Sequence, residues 1–259
     1  MSFLIAVSAM ASGQSEWSLH TWQSDDGLPN NNVTGLAQTP DGYLWIANPS
    51  RLARFDGVHF ANIPGRDIVV DTRQKFTTLL YSRAGGMWLG MDRGTIVYLD
   101  GKTNRILTNG LPDEYVNSLV EDADGSLWAT FSGGTVCRIR NDVITHFNRT
   151  NGFTGGYACW LARDTSGSLW WAKGTQAGIF TENQFVPSFD FKQQPINGIA
   201  AASGGGVWLE VGNHLFHADK GHRLRDCGAF VSQPVPPQPA PLLEDSDHSV
   251  WIGTVDHGL

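Results

Sequence analysis

Apolar and polar residues alternate in short stretches along the chain, and Asp-Gly or Gly-Gly pairs separate one stretch from the next. Alternation with period two marks a half-buried strand, and Gly at the break supplies the positive φ that a tight hairpin needs. The pattern predicts opening strands at Val33 to Gln38, Phe76 to Tyr81, Val116 to Glu121, Tyr157 to Ala162 and Ile196 to Ala201. After each turn comes a strand bearing a tryptophan. A third strand follows, as at Arg51 to Phe55, Thr95 to Leu99, Thr135 to Ile139 or Gly178 to Thr181. A more polar fourth ends the unit, as at Val58 to Asn62 or Val143 to Asn148. No segment shows a sustained helical period with caps.

The tryptophans set the period. Trp45, Trp88, Trp128, Trp170, Trp208 and Trp251 are separated by 43, 40, 42, 38 and 43 residues. Their flanks recur too, as Asp41-Gly42-Tyr43-Leu44-Trp45, Asp124-Gly125-Ser126-Leu127-Trp128 and Ser166-Gly167-Ser168-Leu169-Trp170 show. Four short antiparallel strands in about 40 residues make one propeller blade. A lone four-stranded sheet cannot bury both faces, whereas stacked blades can, and a flat indole suits the layer between them. Helical repeats and leucine-rich repeats fail on length and pattern. The expected fold is all-β, a β-propeller of about six blades with the last incomplete. The blades lie near 33–72, 76–112, 116–153, 157–192, 196–232 and 239–259.

Composition agrees and excludes some functions. Gly numbers 30 and Trp 10. Eighteen Lys and Arg against 25 Asp and Glu give a net charge of -7. Nucleic-acid binding needs basic surface to neutralise phosphates, so no nucleic-acid partner is expected. Three cysteines, Cys137, Cys159 and Cys227, show no metal-binding spacing and read as buried apolar residues. The apolar run Phe3 to Ala11 has signal-peptide length, and Ala9-Met10-Ala11 has the form of a cleavage site. The first basic residue is Arg51, so the usual charged start is missing. Residues 1–14 are read as a clipped signal-peptide remnant, with a buried strand as the alternative. Glu16 to Trp22 alternates and is expected to be the strand that closes the ring. With the ring incomplete, its exposed edge predicts marginal solubility.

The repeats resemble a known family. Asp26-Gly27-Leu28-Pro29-Asn30-Asn31-Asn32-Val33, Asp41-Gly42-Tyr43-Leu44-Trp45-Ile46-Ala47 and Arg51-Leu52-Ala53-Arg54-Phe55-Asp56-Gly57 look like the two-component regulator propeller repeat. Asn109-Gly110-Leu111-Pro112 restates its opening, and Trp251-Ile252-Gly253-Thr254 restates its centre. The second, fourth and fifth copies are degenerate. The resemblance implies the exported sensor region of a bacterial signalling receptor that often responds to glycans or their breakdown products. It further implies a downstream propeller, β-sandwich, membrane helix and histidine kinase or diguanylate cyclase in the parent chain, and a receptor dimer. The present chain is then the N-terminal piece of a longer protein.

Propeller ligands usually sit on the loops that join blades and on those between second and third strands. Asn31, Arg51, Asp92, Arg93, Tyr115, Tyr157 and Trp160 are the candidate ligand residues there, offering aromatic faces with amide and charged partners for a small molecule or oligosaccharide. Each could instead order its loop or pack between blades. Trp171 must face opposite to Trp170, as packing or as an exposed platform. Asp122 and Asp124 read as turn residues, since the distal Glu of a calcium loop is absent. The sequence carries no nucleophile elbow, no paired metal-binding histidine motif and no phosphate loop. No catalytic residue, metal site or cofactor is therefore expected. A secreted propeller enzyme or lectin acting on polysaccharide, or a propeller like streptogramin lyase, is the alternative.

Overall fold

The structure is a computed structural model, and it describes residues 3–9, 16–64, 68, 73–102, 104–147, 153, 158–230 and 241–253. The chain divides into two compact units, Met1–Val116 and Asn117–Leu259. Among the described residues, the regular structure is all strand apart from a short 3-10 turn at Ser24–Asp26.

Five four-stranded antiparallel sheets follow one another, each a simple meander in chain order. Blade one has β3 (Gly35–Gln38), β4 (Leu44–Asn48), β5 (Arg51–Phe55) and β6 (Phe60–Pro64). Blade two has β7 (Phe76–Tyr81), β8 (Met87–Met91), β9 (Ile96–Leu99) and β10 (Asn104–Leu107). Blade three has β11 (Val116–Glu121), β12 (Leu127–Phe131), β13 (Val136–Arg140) and β14 (Val143–Phe147). Blade four has β15 (Cys159–Arg163), β16 (Leu169–Lys173), β17 (Gln176–Thr181) and β18 (Gln184–Asp190). Blade five has β19 (Ile196–Ala201), β20 (Val207–Val211), β21 (His214–Ala218) and β22 (Leu224–Ala229). Among the described residues, blade six is the hairpin of β23 (Leu242–Glu244) and β24 (Val250–Ile252). These are propeller blades, each an up-and-down sheet of four short strands.

All six periodic tryptophans fall on the second strand of their sheet. Trp128 and Trp170 are fully buried. Phe180, Phe147 and Phe185 surround Trp128, with ring centroids 4.6, 5.1 and 6.1 Å away. Trp171 is 1% exposed and packs with Phe153 and Phe185, so it is core rather than a platform. Two positions after the periodic Trp, side chains point to the next blade. Gly90 shows how tight that layer is, because a Cβ there would lie 2.6 Å from Thr78 Cγ2 and 2.7 Å from Val116 Cγ1. Ala47 and Ala172 fill the layer in blades one and four, and in blade three the Ser118 and Thr130 hydroxyls pair at 2.9 Å.

Several boundaries differ from the sequence reading. The fourth strand of blade one starts at Phe60, not Val58, because Asp56 Oδ1 accepts the amides of Val58 and His59 at 2.8 and 2.6 Å and holds them in a turn. Cys227 is exposed on β22, against the buried role expected of it, whereas Cys137 and Cys159 are buried. Glu16–Trp22 (β2), read as a closing strand, pairs antiparallel along its whole length with Phe3–Ala9 (β1). Tyr157 lies outside the described residues, as does most of the proline-rich run from Gln233 to Pro241.

Candidate functional site

Two segments of the first unit build the site. The chain leaves β8 at Met91, turns through Asp92-Arg93-Gly94 and returns as β9, with Met91 N–H donating to Thr95 O at 3.0 Å. The second segment is the connection after β10, which turns at Leu111 N–H to Thr108 O, 3.2 Å, and leads into Val116. Gly94 brings the two together. Its φ is +75°, and a Cβ there would collide with the Pro112 carbonyl oxygen. Only Gly allows both the conformation and the approach.

Three of the seven candidate ligand residues sit on these segments. The Arg93 guanidinium donates to both Asp113 carboxylate oxygens, Nε to Oδ1 at 3.4 Å and an Nη to Oδ2 at 3.3 Å. Both partners are well exposed, so the pair contributes at most about 1 kcal/mol, but it orients the guanidinium. Asp92 is tied to the preceding connection: Lys75 N–H donates to Asp92 Oδ1, and Asp92 N–H donates to Lys75 O, both at 3.0 Å. Tyr115 is 42% exposed. Partial burial of its phenol, and then the Asp92 charge, push its pKa up. A neutral phenol ring, an anchored carboxylate and a guanidinium thus share one surface. Such a surface can stack on a ring and hydrogen-bond its hydroxyls.

The other candidates are placed elsewhere. Asn31 Oδ1 accepts the Ser24 amide at 2.8 Å and so steadies the 3-10 turn. Arg51 is exposed at the start of β5, opposite Asn48 and Pro64. Trp160 lies on β15 and packs against the cluster of Ala162, Trp170 and Leu209 in the second unit.

Residues 27–50 and 110–133 match the model of the two component regulator propeller. Two segments of the chain are thus similar to that repeat. No curated protein matches the chain. Among solved structures, this chain is similar to the extracellular domain assigned to the hybrid two component system BT3049 of B. thetaiotaomicron. There the TM-score is 0.72 at 16% identity, over 97% of this chain and 38% of that one. It is also similar to a catalytically inactive variant of virginiamycin B lyase from Staphylococcus aureus with quinupristin, at TM-score 0.70 and 14% identity, over 99% of this chain and 90% of that one. At such identities the likeness is one of fold. Among the described residues, no helix of the chain is long and apolar enough to cross a membrane.

A second polar cluster, in the second unit, went unread in the sequence. Ser203 Oγ donates to Glu244 Oε1 and lies 2.8 Å from His248 Nδ1, which is 3.2 Å from the same carboxylate. Serine, histidine and carboxylate suggest a nucleophile relay, but the geometry is wrong for one. A single imidazole nitrogen faces both partners, and the serine proton is directed at the carboxylate rather than at the base. Burial pushes the Glu244 carboxyl up, but bonds from Ser203, Trp208 and His248 outweigh it and hold it at about 2, too weak a base to activate serine. The repeats explain the cluster. Asp122, Asp164 and Asp245 each accept the indole N–H of the tryptophan six residues on, at 3.3, 3.0 and 2.7 Å. Blade five has Ala202 at that position, and Trp208 Nε1 donates instead to Glu244 Oε2 in blade six at 2.6 Å. Glu244 replaces a missing turn aspartate. The signal was available in the Asp that stands six positions before Trp128, Trp170 and Trp251.

Proposed function

We propose that this chain is a ligand-sensing propeller of an exported two-component receptor, that it binds a glycan or a glycan breakdown product, and that it does no chemistry itself. The observation that carries the reading is the meeting of Asp92, Arg93 and Tyr115 on the two segments that Gly94 brings together. The likeness to an extracellular domain of a hybrid two component system supports an exported location. A kinase or cyclase in the parent chain would receive the signal.

Calorimetric titration with a panel of oligosaccharides tests this. At least one should bind, and Tyr115→Ala should weaken it roughly tenfold, about 1.4 kcal/mol, through loss of the stacking face. Arg93→Ala should weaken it less for neutral sugars than for acidic ones. Binding that survives both substitutions unchanged would move the site elsewhere. The fold likeness to virginiamycin B lyase motivates one second reading, that of a lyase. Conversion of quinupristin by the purified chain would establish that reading and remove the non-enzymatic one.

A further inference from the structure

We propose that Glu210 is a proton-operated latch in the seam between blades five and six: as the neutral acid it packs there, and as the carboxylate it loosens the seam. Glu210 lies on β20 with no solvent exposure. Among the described residues, neither carboxyl oxygen has a hydrogen-bond partner of regular geometry. Its side is set by Trp208, two residues earlier and therefore on the same face, whose indole reaches Glu244 of β23. The seam layer at this position holds Ala47, Gly90 and Ala172 in other blades, and where it is polar, in blade three, two hydroxyls satisfy each other. A carboxyl at this depth is the exception.

Among the described residues the surroundings offer no compensating cation. Beside it on β19, Asn197 is 4% exposed; its Nδ2 makes no hydrogen bond of regular geometry among the described residues, though the amide lies near enough to the carboxyl to ease its ionisation slightly. β19 has no titratable residue, and the cross-strand partner on β21 is Leu215. His217, on the same face of β21, packs against Trp208 with ring planes tilted by 55° and its Nε2 3.2 Å from Gly205 O. His214, on β21, pairs with Asp226. From blade six the titratable group on β23 is Glu244, an anion committed to Trp208 and Ser203, and β24 has none. An uncompensated buried carboxylate costs several kcal/mol in general, so the group stays protonated instead. Burial accordingly pushes the carboxyl from 4.5 up to about 7, with the Asn197 amide only moderating the shift.

The sign follows. An acid whose folded pKa is raised stabilises the closed seam most below its open-state value, and that stability is lost as pH rises from 4.5 towards 7. An exported protein meets such a range directly, so the seam would open more often in neutral than in acid surroundings.

Hydrogen exchange of peptides covering residues 196–211 tests the latch, comparing the wild-type chain with Glu210→Gln at each pH, so that base catalysis of exchange cancels in the ratio. From about pH 5 to about pH 8 the wild-type rate should rise roughly fifty-fold relative to the variant. Glu210→Ala, which places the residue of blades one and four in the same layer, gives an independent reference should the glutamine variant fail to fold. A ratio that stays constant with pH against either reference overturns the proposal.

Discussion

At the scale of single residues, the turn aspartates carry the most local weight. Asp164 is 3% exposed and satisfies four donors: the amides of Ser166 and Ser168 at 2.9 Å, the Ser166 hydroxyl at 2.5 Å and the Trp170 indole at 3.0 Å. Its replacement by alanine strands the indole N–H of a fully buried tryptophan and releases the turn. Asp164→Ala should cost about 3 kcal/mol in chemical denaturation, more than removal of one exposed bond. Burial alone would raise the Asp164 carboxyl, but the bonds from Ser166, Trp170 and Ser168 outweigh it and lower it below 3.8. The stabilisation is therefore complete above 3.8 and fades as pH falls below it. Wild type should lose more stability than Asp164→Ala when both are acidified through that range, and equal losses would separate the aspartate from acid sensitivity.

At the scale of elements, legibility divides between local pattern and cross-blade contact. The Trp-bearing strands and their turns could be read directly, because each hairpin is specified within its own few residues: alternation, Gly at positive φ and a fixed register. The start of β6 could not, because Asp56 competes for the Val58 amide that alternation alone assigns to a strand. Of the ligand candidates, the loop positions of Asp92, Arg93 and Tyr115 were legible, but their meeting depends on Gly94 against Pro112, which no local pattern records. The Glu244 contact is similar, being 36 residues from Trp208 in sequence. That substitution of one partner for another can be reversed. Glu244→Ala should destabilise the second unit by about 2 kcal/mol, since it leaves the Trp208 indole without its acceptor. Ala202 N–H donates to Gly206 O at 3.0 Å and Gly205 N–H to Ala202 O at 2.9 Å, the turn that Asp164 makes in blade four. Ala202→Asp should therefore supply the missing acceptor and recover half or more of the loss in the Glu244→Ala background. In a double-mutant cycle the two substitutions should couple, and strict additivity would show that Ala202 cannot stand in.

At the scale of the whole molecule, periodic sequence implies nearest-neighbour energetics, because a stacked repeat touches only the repeats beside it. The core is accordingly divided. In the first unit Leu89 is fully buried in a cluster with Leu52, Phe76, Met91 and Val97, while in the second Leu209 is buried with Trp170, Ile196 and Val211. No described member of the first cluster belongs to the second. Removing the Leu89 side chain should thus act on its own cluster. Leu89→Ala should cost about 3 kcal/mol, the usual range for a buried leucine, and should speed hydrogen exchange in β7 and β8. Exchange in β16 and β20 should change little, whereas Leu209→Ala should show the reverse pattern. If either substitution instead speeds exchange equally in all four strands, the chain opens as one cooperative body, and the repeat period read from six tryptophans would describe its architecture but not its energetics.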